Sequence, residues 1–226
     1  MEVQSQGPMA EPVTIPISIF EVTVRYEKPV IRILADRAEI IQALFDAFAE
    51  FKPSADDLEV ISAGKTTEQG IRLRLGSQMI TFFFGAANCK FTKEAALWAD
   101  ADTILRILDT FLTILTEIGG VIPGEKTSVL SLHLQLKTAS FKDILRPLID
   151  SNIKRLDPAP LEAMALVARW PGRRITLDGS AQIANGIFVQ MEREFDASRS
   201  YDEMKQHIFK DEVDLLKLLG VEEVDA

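Results

Sequence analysis

The chain has 226 residues, with 34 acidic against 25 basic side chains and a formal net charge of -9. A hydrophobic fraction of 47% and a charged fraction of 26% match ordinary globular usage and exclude general disorder, and the single cysteine, Cys89, excludes an internal disulfide scaffold. The acidic balance repels a phosphate backbone at long range, so nucleic-acid binding would need a locally basic face.

The first dozen residues lack a basic and apolar leader pattern, and no apolar run reaches the ~18 residues that span a bilayer. The expectation is a cytoplasmic protein without membrane contact, preceded by a loose tail over 1–14. Ile15 to Tyr26 then alternates, with Phe20, Val22, Val24 and Tyr26 opposite Glu21, Thr23 and Arg25. That pattern predicts a strand with one wet face, and the opposite phase of Ile15, Ile17 and Ile19 predicts a β-bulge at Ile19-Phe20. Asp36 with Glu39 opens a helix over about Arg37 to Phe51, stopped by Pro53. Leu58 to Ser62 reads as a short strand. Ile71 to Leu75, Gly76-Ser77 and Met79 to Phe84 read as a hairpin with a two-residue turn. Ile104, Leu108, Phe111, Leu115 and Ile118 form the apolar stripe of a helix that starts at Asp100 or Asp102 and ends at Gly119-Gly120.

In the rest of the chain, Val129 to Lys137 alternates cleanly, with Ser131, His133 and Gln135 on its polar side. Ser140 and Asp143 open a helix through Leu148 and Ile149 that Pro147 kinks. Ala163 to Trp170, Pro171-Gly172 and Arg173 to Leu177 read as a second hairpin, Ile187 to Phe195 as a strand, and Ser200 with Glu203 as the capping box of a last helix that ends at Gly220. Landmarks recur at offsets of about 100 residues, which points to duplication of a unit. The expected fold is α+β: two tandem β-α-β-β-β-α units, 15–120 and 121–221, with antiparallel sheet and long helices packed on one face, then an acidic tail over 222–226.

The chemistry-bearing motifs are thin. Gly119 to Thr127 resembles a phosphate loop, but Glu125 separates glycine from lysine and the segment joins a helix to a strand, so it reads as a helix end and a turn. Ser62-Ala63-Gly64-Lys65 fits a serine-lysine spacing that Gly64 spoils as a helix. His207 and Asp211 lie one helical turn apart, and read as a solvated pair rather than a metal site. Cys89 beside Lys90 reads as a buried small residue. The arginines carry more: guanidinium suits carboxylate or phosphate, and several fall in predicted strands. The candidate ligand- or partner-binding residues are Arg25, Arg72, Arg74, His133, Arg169, Arg173, Arg174 and Arg193; no catalytic residue, metal ligand or cofactor is assigned.

The doubled element order is similar in topology to the saddle of TATA-box-binding proteins, in which a sheet meets a DNA minor groove. That resemblance implies a ligand- or nucleic-acid-binding saddle on an Arg-bearing face. The leading expectation is instead a non-enzymatic binding or protein-interaction protein with a protein partner or a second copy of itself, because Met79 to Phe84 is apolar in both strand phases and calls for cover on both sides. An enzyme of unrecognised type, around His133, Ser131 and Cys89, comes third.

Overall fold

A computed structural model describes residues 10–62, 64–65, 69–96, 101–145, 165–196 and 201–224. The first strand, β1 (Glu11–Tyr26), is sixteen residues long and starts inside the stretch expected to be a loose tail. From Ser18 onward its burial alternates: Ser18, Phe20, Val22, Val24 and Tyr26 are buried, and the residues between them face the other way. The pairing of β1 with β6 has two irregularities, between Thr14 and Ile17 and between Val24 and Tyr26, and none at Ile19-Phe20. Pro16 explains the first of them, because a proline inside a central strand is tolerated at a bulge.

Two helices follow, α1 (Arg32–Ala35) and α2 (Arg37–Ala47), then β2 (Leu58–Ile61), β3 (Gly70–Leu75), β4 (Ile80–Gly85) and β5 (Asn88–Glu94). The β3–β4 connection has four residues rather than two, with a 3-10 turn at Gly76–Gln78 and Met79 in the left-handed region at φ 50°. Beyond α3 (Ala101–Glu117) the chain enters β6 (Pro123–Leu136), a one-turn α4 (Phe141–Leu145), β7 (Leu166–Trp170), β8 (Arg173–Gly179), β9 (Gly186–Phe195), α5 (Tyr201–Leu219) and β10 (Val221–Glu223). Gly119 and Gly120 do end α3, Gly120 at φ +67°, and the segment after them is a connection into β6. The expected course through Pro147, Leu148 and Ile149, the strand start at Ala163, and the caps at Asp100 and Ser200 lie outside the described residues, as does Ala63.

All ten strands belong to one sheet, ordered β2-β3-β4-β5-β1-β6-β9-β8-β7, with β10 paired parallel to the start of β1. This overturns the expected α+β arrangement of tandem β-α-β-β-β-α units with long helices. The molecule is mostly sheet, its described helices are five, and α1 and α4 are about one turn each. The cause is visible at the centre. β1 and β6 pair antiparallel at eleven Cα positions from Val13↔Leu136 to Tyr26↔Pro123, so both parts of the chain feed one continuous sheet. The described β-element order is also not the same twice, because four strands separate α2 from α3 and three separate α4 from α5.

The core lies on one side of the sheet in two clusters. In the first, Phe48 of the α2 end stacks on Phe82 at 5.2 Å between ring centroids, and Phe111 of α3 lies 4.6 Å from Phe82. The second gathers Leu130 to Leu136 of β6, Ile175 and Leu177 of β8 and Ile187 to Met191 of β9 under Leu145, Leu215 and Leu219. Each cluster borrows from the other part of the chain: Phe195 and Met204 join the first, and Val13 joins the second. Apart from Ala101 and Asp211, the buried helical side chains among the described residues belong to these two clusters, and Asp211 meets Arg193 on the same side, so no described helix covers the opposite sheet face.

Candidate functional site

Strand register assigns each candidate residue to a face. On the open side one row of neighbours runs Arg74–Thr81–Thr92–Glu21–Val129–Glu192–Arg174–Arg169 across eight strands. The next row runs Glu59–Arg72–Phe83–Lys90–Thr23–Thr127–Glu194. Arg25, at the end of β1, shares the same side and lies 3.5 Å from Glu125. Arg173 and Arg193 do not share it, because their row is the helix-side one, Val22–Ser128–Arg193–Arg173–Trp170.

Most of these charges have mates. Arg72 reaches Glu59 at 2.6 Å and Arg74 approaches the same carboxylate at 3.8 Å. Lys90 meets Glu21 at 2.5 Å, and Arg174 meets Glu192 at 2.5 Å. Cross-strand pairing of opposite charge is the ordinary stabilising device of a sheet surface, and it leaves this face without a basic field. On the helix side Arg193 donates from Nε to Asp211 Oδ2 at 2.6 Å and from Nη2 to the other oxygen. Asp211 is 2% exposed, so it is a buried counter-ion of Arg193 and not a solvated partner of His207. His207 instead lies 6.0 Å from the Phe195 ring.

His133 is on the open side, 7% exposed, between Ile17 of β1 and Phe188 of β9, with the Phe188 ring at 5.0 Å. Its Nδ1 is 2.8 Å from Ser180 Oγ. That oxygen already accepts backbone N–H bonds from Gln182 and Ile183 at 3.2 and 3.0 Å, so its own proton goes to Nδ1 and the ring proton sits on Nε2. Burial pushes the imidazole below its usual pKa, in keeping with a neutral ring. Ser131 lies one row away and receives Gln190 Nε2 at 3.1 Å. Cys89 is on the other face of the sheet, fully buried, with its thiol pushed up to about 12 by burial. The trio His133, Ser131 and Cys89 therefore does not assemble.

Sequence reasoning missed Ser180, Phe188 and Trp170. Ser180 lies in a loop between β8 and β9, where spacing carries no register signal, whereas Trp170 sits in plain view at the end of an expected hairpin. At that hairpin end, Arg173 Cζ lies 5.7 Å from the Trp170 ring centroid and Arg173 Nε lies 3.2 Å from Met191 Sδ. A cavity of about 370 Å3 opens there between Trp170, Arg173, Phe195 and His207, and a second of about 220 Å3 between Arg169, Arg174 and Glu192. Among the described residues no three His, Cys, Asp or Glu side chains gather as a metal site would need.

The centre of the open face is therefore neutral. Ile17, Ile19, Val129, Phe188, Thr23, Thr127, Ser131 and Gln190 occupy it together with Glu21 and Glu192, which flank Val129 in its row and are met by Lys90 and Arg174; the pair Arg72–Glu59 lies further out. No protein-family model matches the chain, and no curated protein matches it.

Proposed function

We propose that the chain is a non-enzymatic protein-interaction protein, that the open sheet face is its contact surface, and that the partner is a second copy of the chain. The observation that supports this reading is the layout of the face: a half-buried middle around Ile19 and Val129, uncovered by any described helix, in which the only charges, Glu21 and Glu192, are met by Lys90 and Arg174. A surface that offers apolar side chains and leaves no charge unpaired can be desolvated by a protein partner at little electrostatic cost. A neutral middle can also meet its own copy across a two-fold axis without setting like charges against each other.

The alternative, an anion- or nucleic-acid-binding saddle on the Arg-bearing face, is weakened by Glu59, Glu21 and Glu192, which neutralise that face from within. An enzymatic reading around His133 is weakened by the two backbone N–H groups that occupy the Ser180 oxygen. At physiological ionic strength, which screens the net charge, light scattering at micromolar concentration should give about twice the 25.2 kDa chain mass. Val129→Lys should bring the mass to that of one chain with unchanged far-UV circular dichroism. A wild-type monomer, or a dimer indifferent to Val129→Lys, rejects this reading.

A further inference from the structure

The chain has two histidines, and they sit on opposite sides of the sheet: His207 on α5 beside Phe195, His133 in the open face, where it is 7% exposed. Ionisation of His133 is tied to one hydrogen bond. Ser180 Oγ gives its proton to Nδ1 at 2.8 Å and spends both lone pairs on the backbone N–H groups of Gln182 and Ile183. A protonated Nδ1 needs an acceptor, and this oxygen has none left to offer. An imidazolium therefore loses the Ser180 contact and has to find another partner.

Among the described residues the register sets no charge next to it. In its own row β1 contributes Ile17 and β9 contributes Phe188, and on β6 its neighbours in the same phase are Ser131 and Gln135. The closest charges by register are Asp178, across Phe188 on β8, and Glu94, across Ile19 on β5; both stand on the second strand from β6, about 10 Å away or more by strand spacing. Glu21 and Glu192 lie two rows off and are met by Lys90 and Arg174. Lys137 and Glu222 lie two rows off in the other direction, beside Pro12. Burial is what lowers the imidazole pKa, with no contribution from any of these charges.

We propose that His133 makes the dimer pH-sensitive, its protonation separating the two copies that meet through the open face. The switch rests on the open face being the dimer contact, and it names the group that controls that contact. In the single chain an imidazolium turned away from Ser180 reaches water, because no described helix lies over this face. In the dimer the second copy lies over that exit, and the charge is buried without a counter-ion. The proton therefore binds the separated chains better than the dimer, and by linkage acid drives separation. General charge effects run the other way, since acid reduces the net charge of -9 and with it the repulsion between copies.

The test is sedimentation velocity on the full chain at constant ionic strength, at about pH 7.5 and about pH 5.5, with circular dichroism confirming the fold at both. The dissociation constant of the wild-type dimer should rise about fivefold or more at the lower pH, because a histidine of each copy titrates, whereas that of His133→Gln should not rise. His207→Gln should respond as the wild type does, which keeps the switch testable if His133→Gln fails to fold. A wild-type monomer at the higher pH rejects the dimer and the switch with it. A dimer whose constant does not rise at the lower pH, that weakens equally in folded His133→Gln, or that no longer responds in His207→Gln rejects the switch alone.

Discussion

At the scale of single residues, the polar groups of this chain are mostly spent on holding it together. Glu11 accepts N–H bonds from Thr138 and Ala139 at 2.7 and 2.9 Å and a hydroxyl bond from Thr138, which ties the start of β1 to the end of β6 and holds its carboxyl below the usual range. His133 and Ser180 form the equivalent tie on the open face. Because burial depresses the imidazole below its ordinary value of 6.5, the unfolded chain binds more protons than the folded one between the two values. Stability from this group is therefore complete above the unfolded value and falls away as pH drops through it toward the lower folded one. A proton on Nδ1 would also displace the hydrogen donated by Ser180. We expect the urea midpoint to fall more between about pH 7.5 and about pH 5.5 in the wild type than in His133→Gln, whose side chain does not titrate. Equal slopes in the two proteins would assign the whole acid effect to other groups.

At the scale of elements, the segments that the sequence hides are those whose buried face is polar. The strand β5 is not legible because Lys93 occupies the buried phase with Cys89 and Phe91; its ammonium reaches the carbonyls of Glu94 and Ala95 at the strand end. Alternation places the start of β6 at Val129, yet the strand starts at Pro123, because Lys126 and Ser128 face the helix side where the pattern asks for apolar residues. Strands with apolar buried phases, such as β3 and the body of β1, are readable at once. The apolar run at Met79 to Phe84 has a different explanation from the one its pattern suggests. Met79 lies in the turn, Ile80, Phe82 and Phe84 are buried, and on the open face Phe83 packs over Gly70 and Gly85. The second phase of that run is thus met by neighbouring strands, and a partner chain is not needed to cover it. The consequence can be tested at Gly70. A Cβ there would lie 2.6 Å from the Phe83 ring and 2.7 Å from the Phe84 carbonyl oxygen, with backbone on one side unable to yield. Gly70→Ala should destabilise by about 1–3 kcal/mol despite the entropy that alanine saves in a strand. An unchanged or raised urea midpoint would show that β3 and β4 adjust freely.

At the scale of the whole molecule, the continuous sheet decides how the chain unfolds. The sequence pattern divides the chain at about residue 120 into two units, and it does not tell which candidate arginines share a face; only register separates Arg173 and Arg193 from the others. The structure joins what the sequence divides. β1 carries Phe20 to Tyr26 into the first cluster and Val13 into the second, and its pairing with β6 crosses the sheet centre without a break from Ile17 to Val24. The C-terminal β10 returns to pair with Glu11 to Val13, so the last described strand closes against the first. Removing either part would expose the buried phase of β1 or β6 and strip the long edge of the remaining strand of its hydrogen bonds, which is costly for backbone groups that lie between two strands. Cooperative units follow such shared burial, so both clusters should melt together. Calorimetry is expected to give one transition, with far-UV and near-UV circular dichroism coincident in urea, and a chain cut to residues 1–120 should not fold by itself. Two separated transitions, or a folded 1–120 fragment, would mean that the β1–β6 seam contributes little and that the two clusters are independent.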